Sequence, residues 1–316
     1  MEGKIYKILP VFEERIWGTQ ELRERYGYET DLNNIAEVYN VVALPGHLDN
    51  EVEGTGMRLS EFYHKNRELF GCSPEDMPVM TCMAHSNSYL SIQLHPDDPY
   101  ALAHTGMRGR PEGWVILDGP EDNEIVLGHN AATKEEFMEW SNQKEWDKLF
   151  RYVNMKPGQY VHVPAGSLHA FCKDAVAVAF SVNADVTYRL YDFDRVEAST
   201  GKPRELHLRE VFDNISVPDR IEPCTPMQEE RDGCRISFFY DEPGVYTSGR
   251  VETEEGGRIE RTEFCFYTCA AGKGTLGGIP VKAGETLFVP RQYGPVDLKG
   301  TLDLMYVTYR EVGNHG

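Results

Sequence analysis

The chain has 316 residues and a formal net charge of −19 at pH 7, and so acidic a surface excludes nucleic acid and anionic membranes as partners. It holds no run of about 18 apolar residues and no apolar core of a secretory signal, so we expect neither a membrane span nor export. Its seven cysteines include no Cys-x-x-Cys pair, which predicts a reduced, cytoplasmic protein without disulfides.

The first quarter of the chain combines strand patterns with one helix. Residues 4–17 are apolar and aromatic and end on Trp17, a side chain that packs in a core or faces a substrate. A β-rich run over 34–44 contains one acidic residue, Glu37. Residues 57–71 place apolar side chains at helical spacing and close on a glycine, which predicts a helix.

The stretch from Leu90 to His95 alternates apolar and polar residues. This is the period of a β-strand with one packed face. Gln93 and His95 therefore point the same way, one pleat apart. Further strands are predicted over 114–117 and 124–128.

A second stretch, Gly158 to His169, has the pattern Gly-x5-Pro-x-Gly-x2-His. Pro164 and Gly166 predict a tight turn that presents His169 after a strand. If this strand and the previous one belong to one barrel, their polar side chains converge on one ion.

The middle of the chain contains the other predicted helices. A threonine followed three residues later by glutamate forms a capping box that opens a helical stretch over 133–151, bent around 141–142. Residues 204–213 predict a short helix. Prolines and acidic residues over 216–234 indicate a crossing segment, and residues from 235 onward are almost entirely strand and turn patterns.

One internal sequence repeat indicates two similar units. Met155–Pro164 recurs as Val281–Pro290, and the second copy has no histidine after it. Many short strands with Gly and Pro between them are typical of barrels. We therefore predict a mostly β fold of two jelly-roll barrels, with a small helical part inserted in or packed on the first. The predicted units are 1–215, the crossing segment 216–234, and 235–316 without metal ligands.

A zinc-type site needs a fourth ligand, and the best candidate is Glu112, just before a predicted strand. Imidazole, carboxylate and amide donors from His95, His169, Glu112 and Gln93 suit Zn²⁺, Fe²⁺, Mn²⁺ or Co²⁺. A single histidine on a strand is usually structural, but the two motifs together favour ligands. His162 is a competing histidine close to the second motif.

Eight segments resemble a known family in chain order. They are Pro10–Gly18, 59–62, Arg67–Gly71, Leu90–Asp98, Gly128–Glu136, Lys156–Ala170, Thr187–Arg195 and Arg204–Leu208. Together they resemble class I mannose-6-phosphate isomerases of the short bacterial type, which are cupins. The resemblance spans nearly the whole chain.

The resemblance implies an activity and a site. It implies that Gln93, His95, Glu112 and His169 bind one zinc ion per chain, with another divalent transition metal as an option. It implies that Arg189 is catalytic and that mannose 6-phosphate and fructose 6-phosphate interconvert through a cis-enediol. The partner is then a small sugar phosphate. From the residues alone, Arg189 is either catalytic or a structural partner of Asp192 or Asp194.

Trp17, Glu37, Arg110 and Tyr191 are the further substrate-binding candidates. Two positions differ from the family pattern, because the chain has Cys82 and Arg110 where the resemblance leads us to expect lysines. Gly113 also stands where the family has a larger residue. The metal site is thus complete while the substrate pocket is altered.

Three alternatives stay open at the level of sequence. The chain is an isomerase for a different sugar, a non-catalytic metal-binding cupin that binds or senses a sugar phosphate, or, more remotely, an Fe²⁺ oxygenase. We expect a monomer or a homodimer.

Overall fold

Strands dominate the part of the chain that the computed structural model describes, residues 3–171, 173–196 and 201–313. The strands up to residue 191 are β1 (Tyr6–Leu9), β2 (Val11–Thr19), β3 (Ile35–Val41), β4 (Glu51–Val52), β5 (Met57–Arg58), β6 (Val79–Ser86), β7 (Ile92–Leu94), β8 (Glu112–Asp118), β9 (Glu124–His129), β10 (Phe150–Asn154), β11 (Tyr160–Val163), β12 (His169–Ala170), β13 (Ala175–Val182) and β14 (Tyr188–Tyr191). The later strands are β15 (Met227–Arg231), β16 (Cys234–Glu242), β17 (Tyr246–Thr253), β18 (Gly256–Ile259), β19 (Cys265–Leu276), β20 (Ile279–Lys282), β21 (Thr286–Val289) and β22 (Val296–Thr308). The helices are α1 (Glu21–Tyr26), α2 (Leu59–Lys65), α3 (Arg67–Phe70), α4 (Asp98–Thr105), α5 (Lys134–Gln143), α6 (Trp146–Leu149) and α7 (Leu208–Asn214).

Two antiparallel sheets form the first barrel. The six-stranded sheet has the order β11-β8-β13-β6-β3-β2, and the five-stranded sheet has the order β10-β9-β12-β7-β14. Trp114 and Val161 of the first sheet share a buried cluster with Ile125 and Leu127 of the second. The alternating apolar residues of each sheet therefore face inward and fill the space between the two sheets.

An eleven-stranded sheet forms the second barrel, along β15-β16-β17-β22-β19-β21-β1-β4-β5, with β18 on β22 and β20 on β19. The two copies of the internal sequence repeat have the same backbone conformation at their glycines. Gly158 and Gly284 have φ angles of +85° and +88°, a left-handed conformation that glycine adopts without strain. Each glycine precedes a short strand, β11 or β21, so the sequence repeat corresponds to one turn-and-strand unit in each barrel.

The N-terminal segment links the two barrels. β1 pairs with β21 of the second barrel, and β4 and β5 extend that edge. β2 then joins the six-stranded sheet through β3. Strand β15 lies inside the predicted crossing segment 216–234. A local pattern predicts a strand but not the strand with which it pairs. The domain boundaries at 215 and 235 therefore stay a prediction.

The helices are shorter than the predicted stretches. Residues 57–71 hold α2 and α3, and residues 133–151 hold α5 and α6, which Lys144 separates with a left-handed φ of +57°. Within 204–213 the helix begins only at Leu208. The backbone N–H of the preceding residue, His207, donates instead to the carbonyl oxygen of Arg189 in β14. No described helix is long and apolar enough to cross a membrane. Among the described cysteines the free thiols are Cys72, Cys82, Cys224, Cys234, Cys265 and Cys269.

Candidate metal centre

His95, Glu112 and His169 form a buried cluster whose possible ligand atoms lie within 4.8 Å of one another. His95 follows β7, Glu112 opens β8 and His169 opens β12, so both sheets of the first barrel contribute. The three residues are only 2%, 4% and 1% exposed. Burying two imidazoles and a carboxylate together is costly unless their polar atoms find a partner.

The backbone determines which imidazole nitrogen faces the cluster. Nδ1 of His95 lies 2.7 Å from the carbonyl oxygen of Val186, and Nδ1 of His169 lies 2.9 Å from that of Ser167. A carbonyl only accepts, so each Nδ1 carries the proton and each Nε2 offers a lone pair. Both Nε2 atoms are buried without a hydrogen-bond partner in the described chain, and each lies 3.4 Å from an oxygen of Glu112. Lone pairs and a carboxylate repel unless a cation lies between them, so the cluster fits a metal ion.

Glu112 is held in its ionised form. Burial alone would raise the pKa of Glu112, but positive charge beside it, on the His95 and His169 rings when they are protonated and on Arg110, outweighs burial and lowers that pKa well below the ordinary value. The indole Nε1 of Trp114 also donates to Oε1 of Glu112 at 2.8 Å. Burial lowers the pKa of His169 to about 4. A carboxylate and neutral imidazoles are the forms that bind a divalent metal.

Gln93 lies between the metal cluster and an arginine on neighbouring strands. It is directly opposite His169 of β12 and directly opposite Arg189 of β14. Directly opposite residues of antiparallel strands share one face of the sheet, so the three side chains form a row. Oε1 of Gln93 accepts a hydrogen bond from the Ser91 hydroxyl at 2.8 Å. The predicted amide ligand therefore borders the cluster, and its coordination stays a prediction.

A cavity of about 110 Å³ opens beside the cluster. Most of the site residues predicted from the sequence line this cavity, namely Trp17, Glu37, Gln93, Arg110, Glu112, His169 and Arg189. The structure therefore brings together residues that are up to 172 positions apart in the printed sequence.

Arg189 has no ion pair with any residue that the structure describes. Its Nε is buried and has no hydrogen-bond partner there. Asp192 accepts instead from Arg195 and, at 2.7 and 2.5 Å, from Arg204. The structural alternative for Arg189, a pair with Asp192 or Asp194, is therefore not formed among the described residues. A buried N–H of a guanidinium without a partner costs free energy that an anionic ligand recovers.

Trp17 and Glu37 are both held by arginines at the cavity. The guanidinium of Arg204 lies 4.7 Å from the ring centroid of Trp17, which is 4% exposed. Oε2 of Glu37 lies 3.3 Å from Nε of Arg15. Burial raises the pKa of Glu37, and the charge of Arg15 opposes that rise. Trp17 is thus both a core residue and a wall of the cavity.

Arg110 spans two carboxylates at distances longer than a hydrogen bond. Its Nε lies 3.7 Å from Glu112, and its Nη1 lies 3.9 Å from Asp185. The Nε is also buried without a hydrogen-bond partner in the described chain. Cys82 lines the same cavity, and burial raises the pKa of its thiol. The two positions where the resemblance leads us to expect lysines therefore carry a permanent cation and a neutral thiol.

Gly113 makes room for a contact between the barrels. A Cβ atom at Gly113 would lie 2.0 Å from the hydroxyl of Tyr160. That hydroxyl lies 3.4 Å from the hydroxyl of Tyr246 in the second barrel. The small residue next to Glu112 is therefore explained by packing.

The structure does not place Tyr191 at the cavity. Its ring stacks on Trp146 with centroids 4.8 Å apart. Arg189 and Tyr191, two residues apart, would share a face in a regular strand. The ladder shifts between them, since Arg189 pairs with Gln93 and Tyr191 with Ile92, and this irregularity turns Tyr191 to the other face. The prediction that Tyr191 binds substrate is not supported by this position.

Several cavity residues were missed at the level of sequence, namely Arg15, Tyr39, Asp185, Thr187 and Arg204. Arg15 had a signal, because it lies two residues before Trp17 on one strand. The competing histidine, His162, stacks on Tyr240 of the second barrel with ring centroids 4.1 Å apart and is not part of the metal cluster.

Comparison with known proteins identifies the family. No family model matches the chain. ManA of Bacillus subtilis (strain 168), a mannose-6-phosphate isomerase, is 34% identical over 300 residues, which cover 92% of this chain and 94% of that protein. The chain belongs to the mannose-6-phosphate isomerase family. This membership confirms the resemblance and the isomerase class, and it does not favour the non-catalytic or other-sugar alternatives.

Solved structures agree with the fold of the family. The crystal structure of the mannose 6-phosphate isomerase from Bacillus subtilis superposes with a TM-score of 0.91 at 32% identity, and the match covers 96% of this chain and 99% of that chain. This match confirms the mostly β, cupin fold. A zinc-bound mannose 6-phosphate isomerase superposes with a TM-score of 0.77 at 14% identity over 97% of this chain and 99% of that one, a likeness of fold alone.

Proposed function

We propose that this member of the mannose-6-phosphate isomerase family interconverts mannose 6-phosphate and fructose 6-phosphate, with one zinc ion per chain. One observation carries the proposal. Two buried Nε2 atoms, from His95 and His169, face the carboxylate of Glu112 and have no hydrogen-bond partner in the described part of the chain. This cluster borders a cavity that is also lined by Arg189, whose Nε has no hydrogen-bond partner among the described residues.

His95, Glu112 and His169 hold the ion, with the amide oxygen of Gln93 as the fourth ligand. Two imidazoles, a carboxylate and an amide suit Zn²⁺, and another divalent transition metal can replace it. The bound ion supplies a Lewis acid that polarises the sugar carbonyl.

Arg189 stabilises the negative charge that develops on the sugar oxygens. A guanidinium offers paired N–H donors in a fixed plane, and such donors are worth most where charge develops away from water. The pKa of a guanidinium is too high for it to act as a base near neutral pH. Arg189 therefore binds and orients the reacting oxygens and does not move the proton.

Glu37 and Asp185 are the candidates for the group that moves the carbon-bound proton. Both line the cavity, and neither belongs to the metal cluster. The reaction removes a proton from C2 of the aldose and delivers one to C1, so one carboxylate can serve as base and then as acid. Burial raises the pKa of Glu37, which brings that carboxyl closer to the operating pH.

Arg110 is the proposed contact for the phosphate. It is a permanent cation whose nearest carboxylates are 3.7 and 3.9 Å away, so its N–H donors are available for short bonds to phosphate oxygens. We infer a cytoplasmic enzyme, as expected from its cysteines, that acts as a monomer or a homodimer.

The proposal is tested by following mannose 6-phosphate with the zinc-loaded protein by NMR, with unphosphorylated mannose and glucose 6-phosphate in parallel. We expect fructose 6-phosphate to form from mannose 6-phosphate and much slower reaction of the other two sugars. A folded, zinc-loaded sample that leaves mannose 6-phosphate unchanged would contradict the proposed substrate. Preference for another of the sugars would reassign it.

A further inference from the structure

Arg189 lies on the outermost strand of the five-stranded sheet, β14, whose one neighbour among the described strands is β7. The outer side of that strand is nevertheless paired at this residue. The carbonyl oxygen of Arg189 accepts from the backbone N–H of His207 at 2.8 Å. The backbone N–H of Arg189 donates to Nδ1 of the His207 ring at 3.2 Å. One residue thus occupies both backbone groups that an edge strand otherwise leaves open.

His207 is itself anchored on the next element. It lies at the N-cap position of α7, and its side chain makes no capping hydrogen bond. Its carbonyl oxygen accepts from the N–H of Val211 in the helix at 2.9 Å. The ring is therefore used for the strand and the carbonyl for the helix, so His207 ties β14 to α7.

We propose that His207 is a positioning residue that holds the Arg189 backbone in the register which places its guanidinium in the cavity. The register at this point needs support, because the ladder shifts immediately after the pair formed by Arg189 and Gln93. Since both backbone groups of Arg189 face His207, they face away from β7. Arg189 and Gln93 therefore form the non-hydrogen-bonded kind of antiparallel pair, in which the side chains are closer.

The bond requires a neutral ring. Nδ1 must accept, so the proton lies on Nε2, and a doubly protonated ring has no acceptor. Burial and the charge of Arg189 lower the pKa of His207, while the carboxylates of Glu205 and Glu210 oppose that shift. The ring of Tyr188, whose centroid lies 5.8 Å away, packs beside it.

The test compares His207→Asn with His207→Leu in the zinc-loaded, full-length protein. The Oδ1 of asparagine is as many bonds from the backbone as Nδ1 of histidine and also accepts, whereas leucine does not. His104→Ala is the matched control, because Nδ1 of His104 contacts the Tyr100 carbonyl on exposed helix α4 at 2.8 Å, outside the cavity.

As far as turnover is concerned, the inference rests on the proposed function. For mannose 6-phosphate we expect the kcat of His207→Leu to fall by about tenfold or more, because a lost backbone bond misplaces the guanidinium. We expect its zinc content to be unchanged and its KM to change less than its kcat. His207→Asn should stay within about threefold of the wild-type kcat, and His104→Ala should match the wild type.

Hydrogen exchange provides a readout that needs no turnover. The amide of Arg189 should exchange faster in His207→Leu than in His207→Asn or the wild type. A folded His207→Asn variant as impaired as His207→Leu, or a His207→Leu variant with wild-type kcat and exchange, would overturn the inference. If the wild type does not isomerise mannose 6-phosphate, the proposed function fails, and the exchange comparison still decides the role of His207.

Discussion

The rings of His95 and His169 lie with their centroids 5.0 Å apart, and each turns an unprotonated Nε2 towards the same carboxylate, that of Glu112. The Nδ1 atom of each ring donates to a backbone carbonyl oxygen, so neither ring can flip without breaking a hydrogen bond. The free-energy cost of burying these polar groups is offset only when a cation is bound between them.

Replacing His169 with alanine should abolish tight zinc binding. Loss of a supporting residue already weakens metal affinity by about 10- to 100-fold, so we expect loss of a ligand to exceed about 100-fold. The measurement is zinc content after dialysis against a weak chelator. The control is His162→Ala, since His162 stacks on Tyr240 and not on the cluster. Equal zinc content in the two variants would contradict the ligand set.

Replacing Arg189 with alanine should lower kcat by about 10²- to 10³-fold, the usual effect of removing a donor that stabilises developing negative charge. Zinc content should stay at the wild-type level, because a guanidinium offers only N–H donors and no lone pair to a metal ion. Steady-state kinetics measure the effect. Arg209→Ala serves as the control, since that side chain is 89% exposed. A variant with wild-type kcat would show that Arg189 is structural.

Replacing Arg110 with alanine should raise the KM for mannose 6-phosphate by about 10- to 100-fold, because a hydrogen bond between charged groups contributes about 1.5–3 kcal/mol. Arg110→Lys keeps the charge but not the planar donors, so its KM should lie between those of wild type and alanine. Arg108→Ala is the neighbouring control, since Arg108 pairs with Asp98 at 2.9 Å. An unchanged KM in Arg110→Ala would remove Arg110 from the phosphate site.

Asp219 should make stability depend on pH. Its side chain accepts from the N–H of Leu168, just before His169, at 2.7 Å. Burial raises its pKa from 3.8 to about 6. The folded state therefore binds this proton more tightly than the unfolded chain, so the stability it contributes is complete below about pH 4 and is lost as the pH rises through about 6. The pKa difference corresponds to about 3 kcal/mol.

Urea unfolding of wild type and Asp219→Asn at pH 4 and pH 7.5 measures this effect. Asparagine keeps an acceptor for Leu168 and carries no charge. We expect the free energy of unfolding of the variant, relative to wild type, to rise by as much as about 3 kcal/mol between the two pH values. A difference between the two proteins that is the same at both pH values would contradict the buried charge at Asp219.

Sequence patterns predicted that His95, Glu112 and His169 come together, because the two histidines lie in short motifs with strand periodicity. The alternation around Gln93 and His95 and the turn before His169 are local, and the structure places them as expected. The place of Tyr191 away from the cavity also has a local cause, since one irregularity in the β14 ladder reverses the face. Period-2 reasoning assumes a regular strand and does not detect such shifts.

The cavity wall was harder to predict, because it depends on pairing over long distances in the chain. Arg204 contacts Trp17, 187 positions earlier in the printed sequence, and no local pattern connects them. The same holds for β1, whose pairing with β21 ties the N-terminal segment to the second barrel. Local patterns predicted the strands, and tertiary packing decides which strands meet.

Metal-dependent isomerisation is tested most directly with mannose 6-phosphate and the purified protein before chelation, after chelation, and after zinc is returned. We expect turnover that chelation abolishes and that about one equivalent of zinc per chain restores. Turnover that persists at full rate in protein shown to be free of metal would contradict it, because the cluster of His95, Glu112 and His169 would then have no part in the reaction.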